Sequence, residues 1–262
     1  MKAGRVTFIG AGPGAADLIT LRGARLLARA DVVLFDALTD PALRELAPQA
    51  LWVHVGKRGF ADSTGQATIN AMLRKHAGDG SAVVRLKGGD PSVFGRLEEE
   101  LEAMAQAGIE CEVVPGVTAA LAAAAASQRP LTRRGIGRSV SLSTAMTREG
   151  QLHASRSADT EVFYMAGKQL GALARRLLQA GWPADAPCSV VSRAGWPDQL
   201  LSDHTVLTLG GAAMLHAGRP AVVTVGAGAL PTSSAADSCE PLISVWPPPR
   251  NTLAPTIAEG KP

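Results

Sequence analysis

Residues 83–96 constrain the fold of this chain more than any other stretch. Val83-Val84-Arg85-Leu86-Lys87 has strand character, Gly88-Gly89 breaks it, Asp90-Pro91 turns the chain, and an acidic helix-prone segment follows over 97–107. A strand that runs through a short polar loop into a helix belongs to a sheet with crossover connections. Open α/β sheets place ligands at the carboxyl ends of their strands. Gly88 and Gly89 let backbone approach a bound molecule closely, Asp90 offers acceptors for a hydroxyl or ammonium group, and Pro91 stiffens the loop. An ordinary strand-to-helix turn with an aspartate cap is the other reading of the same residues.

The pattern recurs along the first half. A strand over 6–9 meets Gly10-Ala11-Gly12-Pro13-Gly14, and helical character follows over 17–30. Gly10, Gly12 and Ala15 match a dinucleotide fingerprint in form, but Pro13 removes a backbone N–H from a loop that would cradle phosphate. A less charged ligand suits that loop better. Further strands are expected over 32–35, 52–55 and 109–114, with a helix over 66–77, so a mostly parallel sheet is expected. Asp36 ends the second strand. It would bind a ribose, point into a catalytic cleft, or cap the next segment, and the sequence leaves all three open. Pro115-Gly116-Val117-Thr118-Ala119 leads into an alanine-rich helix that Thr118 is placed to cap. The expected organisation is an α/β domain over 1–115, a second α/β domain over 116–231, and a Pro/Ser/Ala-rich tail over 232–262 that reads as mobile.

Composition narrows the function classes. The 262 residues are 46% hydrophobic with no apolar window of membrane-spanning length, and the +3 charge is too small to argue for nucleic acid. Cys111, Cys188 and Cys239 are scattered, without metal-ligand spacing or a disulfide framework. No metal, no membrane and no nucleic acid are therefore expected. The start of the chain lacks a signal-peptide core, so the cytoplasm is the expected compartment. Arg129, Arg133, Arg134 and Arg138 crowd one segment rich in Gly and Pro. That cluster is either a solvated loop or an anion site for several carboxylates.

Taken together, Gly10 to Gly14, Val55-Gly56-Lys57-Arg58, Arg85 to Arg96, Val114 to Ala119, Pro130-Leu131-Thr132 with Arg134-Gly135, and Tyr164-Met165 resemble the tetrapyrrole methylases, in order and over roughly residues 4–230. The resemblance implies two α/β domains of tetrapyrrole methylase type, with S-adenosylmethionine in the interdomain cleft, and a homodimer. Within the family it implies C-methylation of uroporphyrinogen III, without the further dehydrogenase and ferrochelatase activities of fused relatives. It places Pro13, Gly88, Gly89, Asp90, Val93, Thr118, Ala119, Met165 and Ala194 around the cofactor. Asp36 matches a proton acceptor and Lys57 a proton donor. The eight carboxylates of the macrocycle would be met by Arg129, Arg133, Arg134 and Arg138, with Lys57 and Arg58 as additions. Arg133 stands where the family often has His, Ser143-Thr144-Ala145-Met146 replaces a Thr-Gly-His turn, and Leu97-Glu98 replaces a Gly-Gly pair. These departures bear on macrocycle docking more than on the cofactor. The rival readings are a methylase of a later precorrin, a nicotinamide-dependent dehydrogenase using the first Gly-rich loop, and a non-catalytic anion-binding module.

Overall fold

The computed structural model describes residues 4–56, 65–145 and 152–232. Five strands form the first sheet: β1 (Arg5–Gly10), β2 (Val32–Phe35), β3 (Leu51–His54), β4 (Ala82–Lys87) and β5 (Cys111–Val114). Their order is β3-β2-β4-β1-β5 and every pairing is parallel. Parallel strands are covered on both faces, which is why β2 reads as an unbroken apolar run and β1 and β4 are largely buried along their length. Helix α1 (Leu21–Leu27) lies on one face, where Leu27 packs with Ile9, Val33 and Leu86. Helices α2 (Gln66–Gly78) and α3 (Leu97–Gln106) cover the other, where Leu73 and Met104 pack with Phe8, Leu34 and Val83.

The expected helix over 17–30 is shorter than its apolar pattern. Ala16–Leu18 is a 3-10 turn, and Thr20 caps α1 by accepting from the Gly23 N–H at 3.1 Å.

The second half does not repeat the parallel style. Strands β6 (Val140–Thr144), β7 (Thr160–Tyr164), β8 (Pro187–Ser192), β9 (Leu200–Thr205) and β10 (Ala221–Gly226) are ordered β6-β7-β10-β8-β9. Only β6 and β7 pair in parallel; β10 runs antiparallel to β7 and β8, and β8 forms a hairpin with β9. The alanines of α4 (Ala119–Ala126) let this helix press closely onto the sheet, with Ala120, Ala122 and Ala123 against Val162, Val191 and Val222. Helix α5 (Leu170–Gln179) seals the opposite face through Leu170, Leu173 and Leu177. Among the described residues no helix is long and apolar enough to cross a membrane. Residues 233–262 of the expected tail lie outside the described residues.

Candidate active site

The cleft begins where the first sheet changes direction. The chain leaves β1 toward β2 over one face and leaves β4 toward β5 over the other, so the two loops part and open a crevice between neighbouring strands. Gly12 and Gly89 bridge the loops at its base: the Gly89 N–H donates to Gly12 O at 2.7 Å, and the Ala11 N–H to Lys87 O at 2.7 Å. A Cβ on Gly10 would sit 2.5 Å from Gly116 Cα, so three backbone segments meet at a spacing that only glycine permits. Asp90 ties two of them together. Its Oδ1 accepts from the Ser92 N–H at 2.8 Å and its Oδ2 from the Gly116 N–H at 2.9 Å.

The second sheet supplies the facing wall through Tyr164 and Met165 after β7, Val191 to Trp196 around the end of β8, and Pro220 to Val222 entering β10. Between the walls lies a cavity of about 290 Å³, mostly apolar. All nine residues expected around a cofactor line it: Pro13, Gly88, Gly89, Asp90, Val93, Thr118, Ala119, Met165 and Ala194. Phe94, Met165 and Arg193 also line it and hold left-handed backbone at φ 52°, 60° and 52°. Such strain concentrates where the surrounding structure must hold a ligand-facing geometry. Thr118 differs from its expected role. It occupies the N-cap position of α4 without a side-chain capping bond, and its hydroxyl pairs with the Tyr164 hydroxyl at 2.7 Å. The phenol ring packs on Phe94 at 5.0 Å between centroids, linking the two halves at the mouth.

Leu38, Phe94, Tyr164, Arg193 and Trp196 also line the cavity but were not among the expected site residues. The signal for the last two was present: Arg193-Ala194-Gly195-Trp196 is another Gly-containing loop at a strand's carboxyl end. Trp196 crosses from the second half to the first, its indole N–H donating to Pro13 O at 3.3 Å. A Cβ on Gly14 would fall 1.6 Å from the indole nitrogen, and Gly14 also has φ +142°.

Asp36 stands at the open end of a buried ion chain. Its Oδ1 receives Arg85 Nη2 at 2.6 Å; Arg85 Nε donates to Glu100 Oε1 at 2.9 Å; and Glu100 Oε2 receives Lys87 Nζ at 2.6 Å. The side chains of Arg85, Lys87 and Glu100 are 4%, 4% and 0% exposed, whereas Asp36 is 29% exposed. Two cations and two anions balance, which is the condition for keeping such groups out of water. Arg85 and Lys87 alternate with the apolar residues of β4, so both fall on the face that α3 covers with Glu100. Burial works against the Arg85 charge, but Asp36 and Glu100 outweigh it and hold the guanidinium above its ordinary pKa. Burial, and then Arg85, hold Lys87 below its ordinary value. Asp36 is thus held by a fixed cation two residues from Leu38 of the cavity wall. Lys57 and Arg58 lie outside the described residues.

The arginine cluster divides. Arg129 is buried, and Asp203 takes its guanidinium, through Nη1 and through Nη2 at 2.6 Å, while Nη1 also donates to Ala229 O at 3.1 Å. Its Nη donors thus meet the second domain's own frame. Arg133 likewise donates to Leu230 O at 3.0 Å and Pro231 O at 3.3 Å. Arg134 and Arg138 are exposed.

Elsewhere in the second domain, a more open depression of about 400 Å³ is lined by Arg156, Asp159, Trp182 and Asp185 and holds none of the expected site residues. A buried polar chain backs the cleft wall. His216 Nδ1 pairs with Ser192 Oγ at 2.8 Å and Nε2 with Ser202 Oγ at 2.9 Å, and Ser202 pairs with His204 Nε2 at 2.8 Å. Burial, then His204 and Arg219, push His216 down to about 4.

Comparison with known proteins agrees with this geometry. A family model described as Tetrapyrrole (Corrin/Porphyrin) Methylases matches residues 5–209. A Pseudomonas aeruginosa protein named uroporphyrinogen-III C-methyltransferase is 45% identical over 196 residues, 73% of this chain and 80% of that protein. An Edwardsiella ictaluri protein named siroheme synthase is also 45% identical over 196 residues, but the match takes in only 42% of that longer relative. The crystal structure of Thermus thermophilus uroporphyrin-III C-methyltransferase complexed with S-adenyl homocysteine superposes with a TM-score of 0.75 at 36% identity, covering 85% of this chain and 97% of that one. The chain therefore belongs to the tetrapyrrole methylases, a family of methyltransferases, and has their two α/β domains with a cleft between them.

Proposed function

We propose that this protein uses S-adenosylmethionine to methylate two carbons of uroporphyrinogen III in succession, giving precorrin-2 for siroheme or cobalamin synthesis. The observation that carries the reading is the convergence of all nine expected cofactor residues on one cleft between the sheets. The name of the Pseudomonas relative and the ligand of the Thermus structure support the substrate and the cofactor respectively. The cleft fits such a cofactor by its chemistry: glycines allow backbone approach, apolar walls exclude water, and one acid and one arginine sit on opposite sides.

The bound cofactor supplies an electrophilic methyl on a sulfonium, and the electron pair of the broken S–C bond stays on sulfur. The pyrrole carbon is already electron-rich, so the protein's task is alignment rather than activation. Asp36 is the group proposed to take the proton that the alkylated ring then loses, held in place by Arg85. Lys57 is proposed to return protons or to meet a substrate carboxylate. Arg134 and Arg138 are the exposed cluster members proposed to meet further carboxylates, with less help from Arg129 and Arg133 than their sequence position implies. The same reading takes the enzyme to be a cytoplasmic homodimer.

Incubation with S-adenosylmethionine and uroporphyrinogen III, followed by mass spectrometry, is expected to show products carrying one and then two added methyl groups. Asp36→Asn should lower kcat by about 10²–10⁴ while S-adenosylhomocysteine binds as before. Methylation of a later precorrin with none of uroporphyrinogen III would reject the substrate assignment.

A further inference from the structure

The charges on the two walls of the cleft do not cancel locally. On the first-domain wall, the Asp90 carboxylate receives two backbone N–H groups and, among the described residues, no cation. On the second-domain wall, Arg193 Nε donates to Asp198 Oδ1 at 2.7 Å, and Arg219 Nη1 lies 3.2 Å from Asp198 Oδ2. Two guanidinium groups share one carboxylate there, leaving a surplus of one positive charge. Among the described residues, Asp90 and Arg193 are, apart from Tyr164, the ionisable side chains lining the cavity. The first-domain wall thus contributes an acid and the second-domain wall a guanidinium, a pair of opposite charges that suits a zwitterion.

We infer that Arg193 anchors the carboxylate of the cofactor's amino-acid tail, opposite Asp90, which faces its ammonium group. This rests on the reading of the cleft as an S-adenosylmethionine site. Three features preorganise Arg193 for the task. Asp198 holds Nε, which leaves the Nη edge for the parallel pair of hydrogen bonds that arginine makes to a carboxylate. The guanidinium lies 4.2 Å over the Trp196 ring, and that ring is itself fixed to Pro13 on the opposite wall. The backbone of Arg193 is held at φ 52°, with its N–H donating to Pro220 O at 2.9 Å and its carbonyl accepting from the Trp196 N–H at 2.9 Å. Trp196 thus serves both walls: it is bonded to Pro13 and keeps the Arg193 plane fixed before a ligand arrives, which lowers the ordering cost of binding.

Two ligands separate this role from a general effect on the loop. S-adenosylhomocysteine carries the amino-acid tail; 5′-methylthioadenosine keeps the nucleoside and the thioether but lacks it. Calorimetric titration of both into the wild type and Arg193→Gln is expected to show S-adenosylhomocysteine weakened about ten- to a hundredfold and methylthioadenosine changed by less than about threefold. Arg193→Lys, which keeps the charge but not the fork, should fall between. Equal losses for the two ligands would overturn the inference, because Arg193 would then only be shaping the loop. Unchanged affinity for S-adenosylhomocysteine would overturn it as well. Failure of the wild type to bind either ligand would instead reject the cofactor reading on which the inference rests.

Discussion

Replacing Glu100 with glutamine tests the buried ion chain directly. The wild-type carboxylate is fully buried and divides its two oxygens between Arg85 at 2.9 Å and Lys87 at 2.6 Å. Glutamine keeps the shape but removes the negative charge, so two cations face each other with Asp36 as their one remaining anion. Breaking a buried pair by removing one partner costs about 3–5 kcal/mol. An upper limit comes from Lys87, which can escape by losing its proton. Deprotonating an ordinary lysine at pH 7 costs about 5 kcal/mol, and Lys87 starts below the ordinary value. The expected loss is therefore about 3–4 kcal/mol, a large share of the roughly 5–15 kcal/mol of a typical protein. Adding Lys87→Met should recover most of it, because the remaining Asp36–Arg85 pair is balanced and methionine fills the lysine's apolar volume. Urea unfolding at 25 °C, followed by circular dichroism for the wild type, both single variants and the double variant, gives the coupling energy. A Glu100→Gln loss below about 1 kcal/mol, or no recovery in the double variant, would refute the account of the chain as a charge-balanced unit.

Asp90→Ala removes the acceptor shared by Ser92 and Gly116, and should weaken S-adenosylhomocysteine about ten- to a hundredfold in a folded protein. An unchanged affinity would place Asp90 outside the binding machinery. Gly14→Ala drives a methyl into the Trp196 indole and asks alanine to adopt φ +142°; it should cost at least about 1–3 kcal/mol, read as a lowered urea midpoint, and a midpoint within error of wild type would contradict the close packing. His216 predicts a pH effect with a definite sign. Its folded pKa of about 4 lies below the unfolded value near 6.5, so the unfolded chain binds the extra proton in between. Stability should fall as pH drops from about 6.5 to about 4, by up to about 3 kcal/mol, and His216→Gln should flatten that part of the profile; an unaltered slope would count against it.

Much of the first domain was legible because its information is local. Val-rich runs ending in glycine announce buried parallel strands and loops that approach a ligand, and Gly88, Gly89 and Asp90 stand in the cleft as that logic expects. Resemblance extended the reading to Thr118, Met165 and Ala194, and the cavity includes all three. The second sheet was less legible. β9 reads Leu-Leu-Ser-Asp-His-Thr, an edge strand that is neither well buried nor cleanly alternating, so no period marks it. Partners were the other blind spot. Arg129 looks the same in sequence whether it faces solvent or Asp203, 74 residues away. Arg85 and Lys87 pass for polar interruptions of a strand until α3 brings Glu100 onto them. Thr118 looks like a cap until β7 brings up Tyr164, 46 residues along the chain. Periodicity and turn chemistry depend on neighbours a few residues apart and survive in the sequence. Which charges neutralise one another depends on the order of strands in a sheet and on how two domains meet, and only the tertiary structure decides that.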